Sequence, residues 1–142
     1  MTTINTENNK TIARRFLQLV SEKNLEEICE MITPTWTMYG GLPNLPQGAT
    51  GMRELFKHLD TVQQVWTISD IIAEGDKVVV RATNTCTQEM FFGVPAKGKQ
   101  QVFTAMFMLK IVDGKIEEIF RTADDLGRVF QLGGCVIHCS SN

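Results

Sequence analysis

The sequence predicts an α+β domain in which three helices precede an antiparallel sheet of four strands. Two observations carry this prediction. Up to about residue 60 the apolar side chains recur every three or four positions, as in amphipathic helices, and beyond it they alternate or run together, as in strands. The chain has 142 residues, enough for a single substantial core, so we expect residues 1–142 to form one domain. In such folds one face of the sheet packs against the helices.

The three predicted helices are marked by apolar stripes and by capping residues. The first covers residues 6–21 and has the stripe of an amphipathic helix. That stripe consists of Ile12, Phe16, Leu19 and Val20. Asn24 opens the second helix with Glu27 three residues later, a capping-box pattern, and Pro34 is expected to stop it. The third helix begins at about Thr50, where another apolar stripe starts.

One short strand is predicted before the third helix and four longer strands after it. The short strand covers residues 35–41, where apolar and polar side chains alternate. A hairpin occupies residues 65–88 and turns at the Glu-Gly-Asp sequence of residues 74–76. The last two strands, residues 102–112 and 115–123, are separated by an Asp-Gly turn.

The strand at residues 102–112 is apolar on both faces. One face carries Phe103, Ala105, Phe107, Leu109 and Ile111, and the other carries Val102, Met106 and Met108. A strand of this kind is usually covered on both sides of its sheet. The helices cover one side, and a second copy of the chain is the simplest cover for the other. We therefore expect a homodimer packed through the sheet.

Charge and hydropathy narrow the range of partners and locations. The formal net charge is -2 and the charges are mixed along the chain, so there is no basic stripe for a nucleic acid or a membrane surface. Neither is an expected partner. The N-terminal segment is polar and no run of eighteen apolar residues occurs, which predicts neither a signal peptide nor a membrane span. The expected location is the cytoplasm.

The four cysteines show no disulfide framework, so reduced thiols are expected. Cys135, His138 and Cys139 lie close together near the C-terminus. A structural zinc site needs four ligands, and no fourth ligand is nearby in the sequence. We therefore predict no metal site.

Four segments of the chain resemble a known family when taken in order. They are AEGDKVVVRAT (residues 73–83), FFGVPAKGK (residues 91–99), IVDGKIEE (residues 111–118) and DDLGRVFQLG (residues 124–133). Together with the order of helices and strands, they resemble the SnoaL-like polyketide cyclases of the NTF2-like superfamily. The resemblance runs over nearly the whole chain. It implies a cone-shaped barrel in which a strongly curved, mostly antiparallel sheet wraps the three N-terminal helices and leaves an apolar pocket open at one end.

The resemblance also implies a catalytic residue. The best-known cyclases of this family close a ring by intramolecular aldol condensation without a cofactor, and an aspartate shortly before a Leu-Gly step is the general acid/base. Asp124 matches that aspartate, which leaves Asp125 as a helix cap or a solvated residue. The residues alone leave another interpretation open, in which the pair only caps a short helix over residues 126–132. Burial in an apolar pocket would raise the basicity of a carboxylate, which suits proton abstraction next to a carbonyl.

The predicted substrate contacts are aromatic residues, most of them on apolar strands, together with one arginine. They are Trp36, Tyr39, Phe91, Phe103, Phe107, Phe120 and Arg121. Single aromatics on such strands are more often plain core, and the implied cone geometry is what makes them candidates for pocket walls. Cyclases of the family commonly carry a histidine at the positions of Phe107 or Ile119, and this chain has none there. The group that polarises the substrate carbonyl would instead be Arg121, Arg81, Asn84, Tyr39 or a water.

These observations predict a cofactor-independent cyclase or isomerase for a hydrophobic, polyketide-like or terpenoid-like intermediate, with Asp124 as general acid/base. Two alternatives stay open at this point. The same fold could hold an apolar ligand without catalysis. Relatives of this fold also open epoxides, a reaction that uses polar groups clustered around a water.

Overall fold

The computed structural model describes residues 5–135, and its main feature is a mixed sheet of five strands. The strands and a separate small hairpin are β1 (Ile32–Tyr39), β2 (Gln63–Glu74), β3 (Lys77–Thr87), β4 (Met90–Phe91), β5 (Val94–Pro95), β6 (Gln101–Val112) and β7 (Lys115–Ala123). The order in the sheet is β1-β7-β6-β3-β2, and β4 pairs with β5. All neighbours in the sheet are antiparallel except β1 and β7. The predicted four-stranded antiparallel meander is confirmed, whereas the small hairpin was not predicted.

Four helices accompany the sheet in the part of the chain that the structure describes. They are α1 (Thr6–Glu22), α2 (Leu25–Glu30), α3 (Gly48–His58) and α4 (Asp125–Gln131). The predicted cap of α2 is present, since the side chain of Asn24 accepts a hydrogen bond from the Glu27 backbone N–H at 3.3 Å and donates one to its carboxylate at 3.2 Å. Within residues 5–135, none of these helices combines the length and the apolarity that crossing a membrane would need.

β1 begins earlier than predicted. Pro34 was expected to stop α2 and to precede a strand that starts at residue 35, but α2 ends at Glu30 and Pro34 lies inside β1. β1 is an edge strand of the sheet, and its register against β7 shifts between Ile32 and Thr37. A proline is tolerated in an irregular edge strand because its missing N–H is not needed for pairing.

The core lies between the helices and the inner face of the sheet. α1 packs against β2 and α3 packs against β1. The face of β6 that was predicted from Phe103 to Ile111 is buried throughout. Residues 5–135 do not cover the opposite face, because Val102 is 49% exposed and Met106 is 46% exposed. The apolar character of both faces therefore separates into a core face and an open outer face.

α4 is attached to the sheet at the end of β7. Just after the end of β7, the backbone N–H of Asp124 donates a hydrogen bond to the carbonyl of Thr104 in β6 at 3.1 Å. Further along the helix, Gln131 accepts a hydrogen bond from the Val102 backbone N–H at 2.8 Å and donates one to the Val102 carbonyl at 2.7 Å. These bonds fix the position of α4 against β6, and its first turn faces the cavity described below.

Candidate active site

An apolar cavity of about 480 Å³ lies between the helices and the inner face of the sheet. Helices α1, α3 and α4, the strands β1, β2, β6 and β7 and the β4–β5 hairpin contribute side chains to its wall. Its volume and its mostly hydrophobic lining with a few polar groups are typical of small-molecule sites. A wider surface groove of about 610 Å³ lies between α1 and β2, but it is more open and a larger share of its wall is polar. We therefore place the candidate site in the apolar cavity.

Four of the six predicted aromatics line this cavity: Trp36, Phe91, Phe103 and Phe107. Trp66, which was not predicted, joins them from β2. Its ring meets Phe103 and Phe107 edge to face, with centroids 5.7 Å and 5.1 Å apart. Such pairs are favoured by the aromatic quadrupole, and they make a rigid wall. The sequence places Trp66 in a strand whose alternate residues face inward. It does not show which of the two alternating sets faces inward, because that depends on the neighbouring strands.

Tyr39 and Phe120 do not line the cavity, which corrects the prediction for both. They are paired in the β1–β7 register and stack on each other with centroids 4.5 Å apart. Both are more than 40% exposed, on the outer face of the sheet. The reason is strand parity, because Ile119, the residue before Phe120, points into the cavity and neighbours on a strand point to opposite faces.

The two adjacent carboxylates have the reverse of the predicted orientation. Asp124 is the N-cap of α4: its Oδ1 accepts a hydrogen bond from the Gly127 backbone N–H at 2.9 Å, and the residue is exposed. Asp125, which was expected to cap or to face solvent, lines the cavity. β7 ends at Ala123, so the next residue supplies the non-helical cap and the one after it begins the helix, with its side chain pointing inward.

Asp125 is held by two arginines. Arg121 binds it with both terminal nitrogens at 3.0 Å, and Arg128 donates to it from Nη1 at 3.2 Å. Burial acts to raise the pKa of Asp125, but the hydrogen bonds and charges of Arg121 and then of Arg128 outweigh it, so this pKa lies below its ordinary value. The carboxylate is therefore ionised at neutral pH. Arg121 lines the cavity, where the prediction put it.

Arg128 also lines the cavity, and the sequence analysis did not predict it. Its side chain is only 9% exposed, and its guanidinium lies between two rings, 3.6 Å from the centroid of Phe91 and 4.1 Å from that of Phe103. Its Nε donates to Gln101 Oε1 at 3.1 Å. Burial lowers its pKa, and the neighbouring Asp125 works in the opposite direction. The sequence did contain one signal, the spacing of three residues from Asp125 that lets the two side chains meet on a helix.

Two pairs of amide side chains add polar groups to the wall. Asn84 donates to Gln64 Oε1 at 2.8 Å, and Gln88 donates to Gln101 Oε1 at 3.1 Å. Gln64 and Gln88 line the cavity, and their partners are fully buried beside them. These pairings orient both amides at the cavity wall, where they can form hydrogen bonds with substrate oxygen atoms. Trp36 also carries a buried indole N–H without a partner among residues 5–135.

The positions at which family cyclases carry a histidine are apolar here, and both Phe107 and Ile119 line the cavity. His58, at the end of α3, is the one histidine that the described part of the chain brings to the wall. Arg81, considered above as a carbonyl polariser, instead pairs with Asp70 at 2.6 Å, and both side chains are more than half exposed. Arg121 and Arg128 are the cationic hydrogen-bond donors at this wall of the cavity.

The residues that the structure describes hold no cluster of three or more metal-binding side chains. Of the group near the C-terminus, Cys135 is exposed, and His138 and Cys139 lie outside the described residues. The cavity can bind and orient an organic molecule through the contacts given above, with one carboxylate and two guanidinium groups along the same part of its wall.

Comparison with known proteins agrees with this architecture. The model of the SnoaL-like domain family matches residues 13–119. TsrD from Streptomyces laurentii has 25% sequence identity and a TM-score of 0.81, with 94% of this chain and 100% of that chain covered. A putative polyketide cyclase from Bacillus cereus has 26% identity and a TM-score of 0.73, with 89% and 80% covered.

A third solved structure is similar to this chain in its fold only. An LEH-like epoxide hydrolase from M. tuberculosis is 15% identical with a TM-score of 0.72, and the match covers 89% of this chain and 90% of that one. No curated protein sequence matches the chain. The family model spans most of the chain, and the helices held within a mixed sheet are those of the NTF2-like fold. The chain therefore belongs to the SnoaL-like family and has the NTF2-like fold that its sequence motifs implied.

Proposed function

We propose that this protein is a cytoplasmic, cofactor-independent cyclase or isomerase that acts on a hydrophobic, polyketide-like or terpenoid-like intermediate. The observation that carries the proposal is the carboxylate of Asp125, which faces an apolar cavity between two arginines. In this proposal Asp125 takes the role that the family resemblance implied for Asp124, because the side chain of Asp124 caps a helix outside the cavity.

Asp125 would act as the general base. It removes a proton from a carbon next to a carbonyl group, and the resulting carbanion attacks a second carbonyl of the same molecule to form the ring. The protonated Asp125 then returns the proton to the new alkoxide, so no other reactant is consumed. In an isomerisation the same group would return the proton to a different carbon. A base with a lowered pKa is a weak one, so the reaction suits a substrate whose C–H is already acidic.

Arg121 would hold the carbonyl oxygen on which negative charge develops. Its guanidinium is fixed by two bonds to Asp125 and by one to the carbonyl of Gly40 at 3.3 Å, and it has further N–H groups to offer. Donors that are already oriented toward developing charge stabilise a transition state without reorganisation. The aromatic wall would fold a flexible chain so that its reacting carbons meet, which can contribute several orders of magnitude in rate.

A non-catalytic binding protein is the second candidate, and one observation favours it. Three N–H groups already bind the carboxylate of Asp125, so its lone pairs are largely occupied by the protein itself. In that case the aromatic cavity would hold a ligand and Asp125 would only orient the arginines. Epoxide opening is a third possibility, since Asp125 and the amides of Gln64 and Gln88 could position a water.

The test uses an aryl diketone whose carbonyl groups are spaced to close a six-membered ring, and ring closure is followed by the loss of the ultraviolet absorbance of the aryl ketone that is attacked. We expect Asp125→Asn to lower the rate by at least about a hundredfold, the usual contribution of a general base. The adjacent Asp124→Asn is the matched control. It makes the same chemical change but keeps a good helix cap, so its rate should stay close to that of the native protein.

If Asp125→Asn retained the full rate, Asp125 would not be the base. Binding of the diketone by the native protein with no product formed would instead favour the second candidate. Turnover of an aryl epoxide to its diol under the same conditions would favour the third.

The expected homodimer also remains a proposal, and the outer face of the sheet supports it. Tyr39, Val102, Met106 and Phe120 are all exposed there, on the adjacent strands β1, β7 and β6. An apolar patch of this kind on a sheet is typical of an interface. We expect Met106→Lys to convert a dimer into a monomer in sedimentation equilibrium, because the substitution buries a charge at the centre of the contact. A native protein that sediments as a monomer at micromolar concentration would refute the dimer.

A further inference from the structure

The charges of the cavity do not balance. Among residues 5–135, the ionisable groups that line it are His58, Arg121, Asp125 and Arg128. Apart from the histidine, two cations face one anion, although the chain as a whole has a net charge of -2. An excess positive charge in an apolar enclosure is costly unless an anion accompanies it.

Arg128 has more hydrogen-bond donors than the protein uses. A guanidinium carries five N–H groups. Among the described residues, oxygen acceptors take two of them: Asp125 accepts from Nη1, and Gln101 accepts from Nε. The other three, one on Nη1 and two on Nη2, have no oxygen partner there. The sulfur of Cys86 accepts from the same guanidinium, which still leaves two of the three N–H groups for a ligand. Two N–H groups side by side are the donor pair that a carboxylate accepts in a bidentate contact.

No neighbouring group in the described part of the chain supplies the missing negative charge. Cys86 lies near the guanidinium, but burial raises the pKa of its thiol more than Arg128 lowers it, so the thiol is neutral. The carbonyl oxygen of Gln101 already accepts from Arg128 and from Gln88. Asp125 is shared with Arg121, which binds it through two nitrogens.

The guanidinium of Arg128 is also held in place before any ligand arrives. Phe91 and Phe103 lie against it from two sides, and its Nε is tied to Gln101. A donor that is already oriented loses little entropy when it binds a ligand. Its position in the wall of an apolar cavity means that a bound ligand would present an ionic group there and an apolar body elsewhere.

We propose that the natural ligand of this cavity is an amphipathic carboxylic acid, whose carboxylate binds Arg128 while its apolar body lies against the aromatic wall. The proposal rests on the proposed function for the location of the site, and it adds the chemical class of the ligand. Arg121 and Asp125 are left for the reacting end of the molecule. The binding step requires no turnover, so it can be tested apart from catalysis.

The experiment is calorimetric titration of the full chain with naphthylacetate and with its methyl ester, which differ only in the ionic group. We expect the acid to bind at least about tenfold more tightly than the ester, as is usual for hydrogen bonds to a charged group. Equal affinity of acid and ester in the native protein would overturn the proposal, and this comparison needs no variant.

Three variants locate the contact. Arg128→Gln should weaken binding of the acid about tenfold and leave the ester unchanged. Asp125→Asn, which removes the competing anion, should strengthen binding of the acid. Arg81→Gln is the matched control, because it makes the same change of charge on an arginine outside the cavity and should have no effect. A preference for the acid that survives Arg128→Gln in a folded protein would also overturn the proposal.

The outcome is separable from that of the proposed function. If Asp125→Asn abolishes turnover and strengthens binding of the acid, both ideas stand. If Asp125→Asn leaves turnover of the diketone unchanged while the acid still binds through Arg128, the catalytic proposal fails and the ligand class is retained. If the native protein binds acid and ester equally well while Asp125→Asn still lowers turnover, the ligand proposal fails and the catalytic proposal is retained.

Discussion

Replacement of Asp124 by alanine tests the division of roles between the two aspartates. The structure gives Asp124 one side-chain contact among the described residues, the cap bond from the Gly127 backbone N–H at 2.9 Å. Loss of such a cap typically costs about 1 kcal/mol, and for a domain of this size that lowers the melting temperature by about 3 °C. Because Gln131 ties α4 to the sheet, the loss should register in global unfolding. No effect on ligand affinity is expected.

Gly127 provides an independent check of the same bond. A Cβ built on Gly127 would lie 2.9 Å from Asp124 Oδ1 and 2.7 Å from its Cγ, so alanine at this position displaces the capping carboxylate. Alanine in a helix is otherwise about 1 kcal/mol better than glycine. The two effects should nearly cancel in Gly127→Ala alone. In the Asp124→Ala background only the gain remains, so the same substitution should stabilise the protein by about 1 kcal/mol.

The assay is urea unfolding of the native protein, the two single variants and the double variant. The predicted coupling between the two positions is about 1 kcal/mol, well above the scatter of about 0.3 kcal/mol expected for independent sites. An unchanged m-value would show that the substitutions act on stability rather than on the denatured state. Additive effects, or an Asp124→Ala variant as stable as the native protein, would refute the assignment of Asp124 as the cap.

Two further predictions concern Asp125 and Gln131. The folded-state pKa of Asp125 is lowered by Arg121 and Arg128, so its stabilising contribution is complete above its unfolded pKa of about 4 and is lost as the pH falls through the lower folded value. The stability advantage of the native protein over Asp125→Asn should therefore shrink below about pH 4 in urea unfolding, and an advantage that grew in acid would contradict the ion pairs. Gln131→Leu leaves both backbone groups of Val102 without their partner, and we expect faster hydrogen exchange at that amide together with a loss of about 1 kcal/mol. Unchanged exchange at Val102 would mean that α4 is not attached through Gln131.

The order of helices and strands could be predicted because burial imposes a period on the sequence. The stripe of residues 6–21 reflects one buried face of a helix, and the apolar run of residues 102–112 predicts a strand; both elements formed where they were expected. The cap at Asn24 was readable for the same reason, since it depends on residues only three positions apart. The prediction from Pro34 was wrong. A proline can lie inside a strand when its missing N–H is not needed for pairing, and this depends on the neighbouring strand, which the sequence does not reveal.

The site was less accessible to this kind of reasoning. Tyr39 and Phe120 were assigned to the cavity from their residue type, and strand parity put them on the outer face. Arginine is usually a surface residue. Arg128 is buried because Phe91 and Phe103, from distant parts of the chain, pack against its guanidinium.

The sequence by itself determined the fold class, the family and the presence of two carboxylates ahead of a short helix. It could not determine which carboxylate faces the cavity, because either aspartate is a good helix cap and the sequence does not show which one is used. The tertiary structure decided this through two placements. β7 ends at Ala123, which leaves Asp124 as the cap, and Arg121 and Arg128 meet at the side chain of Asp125. The physical reason is that a cap depends on local backbone geometry, whereas a charge cluster forms only when separate elements meet.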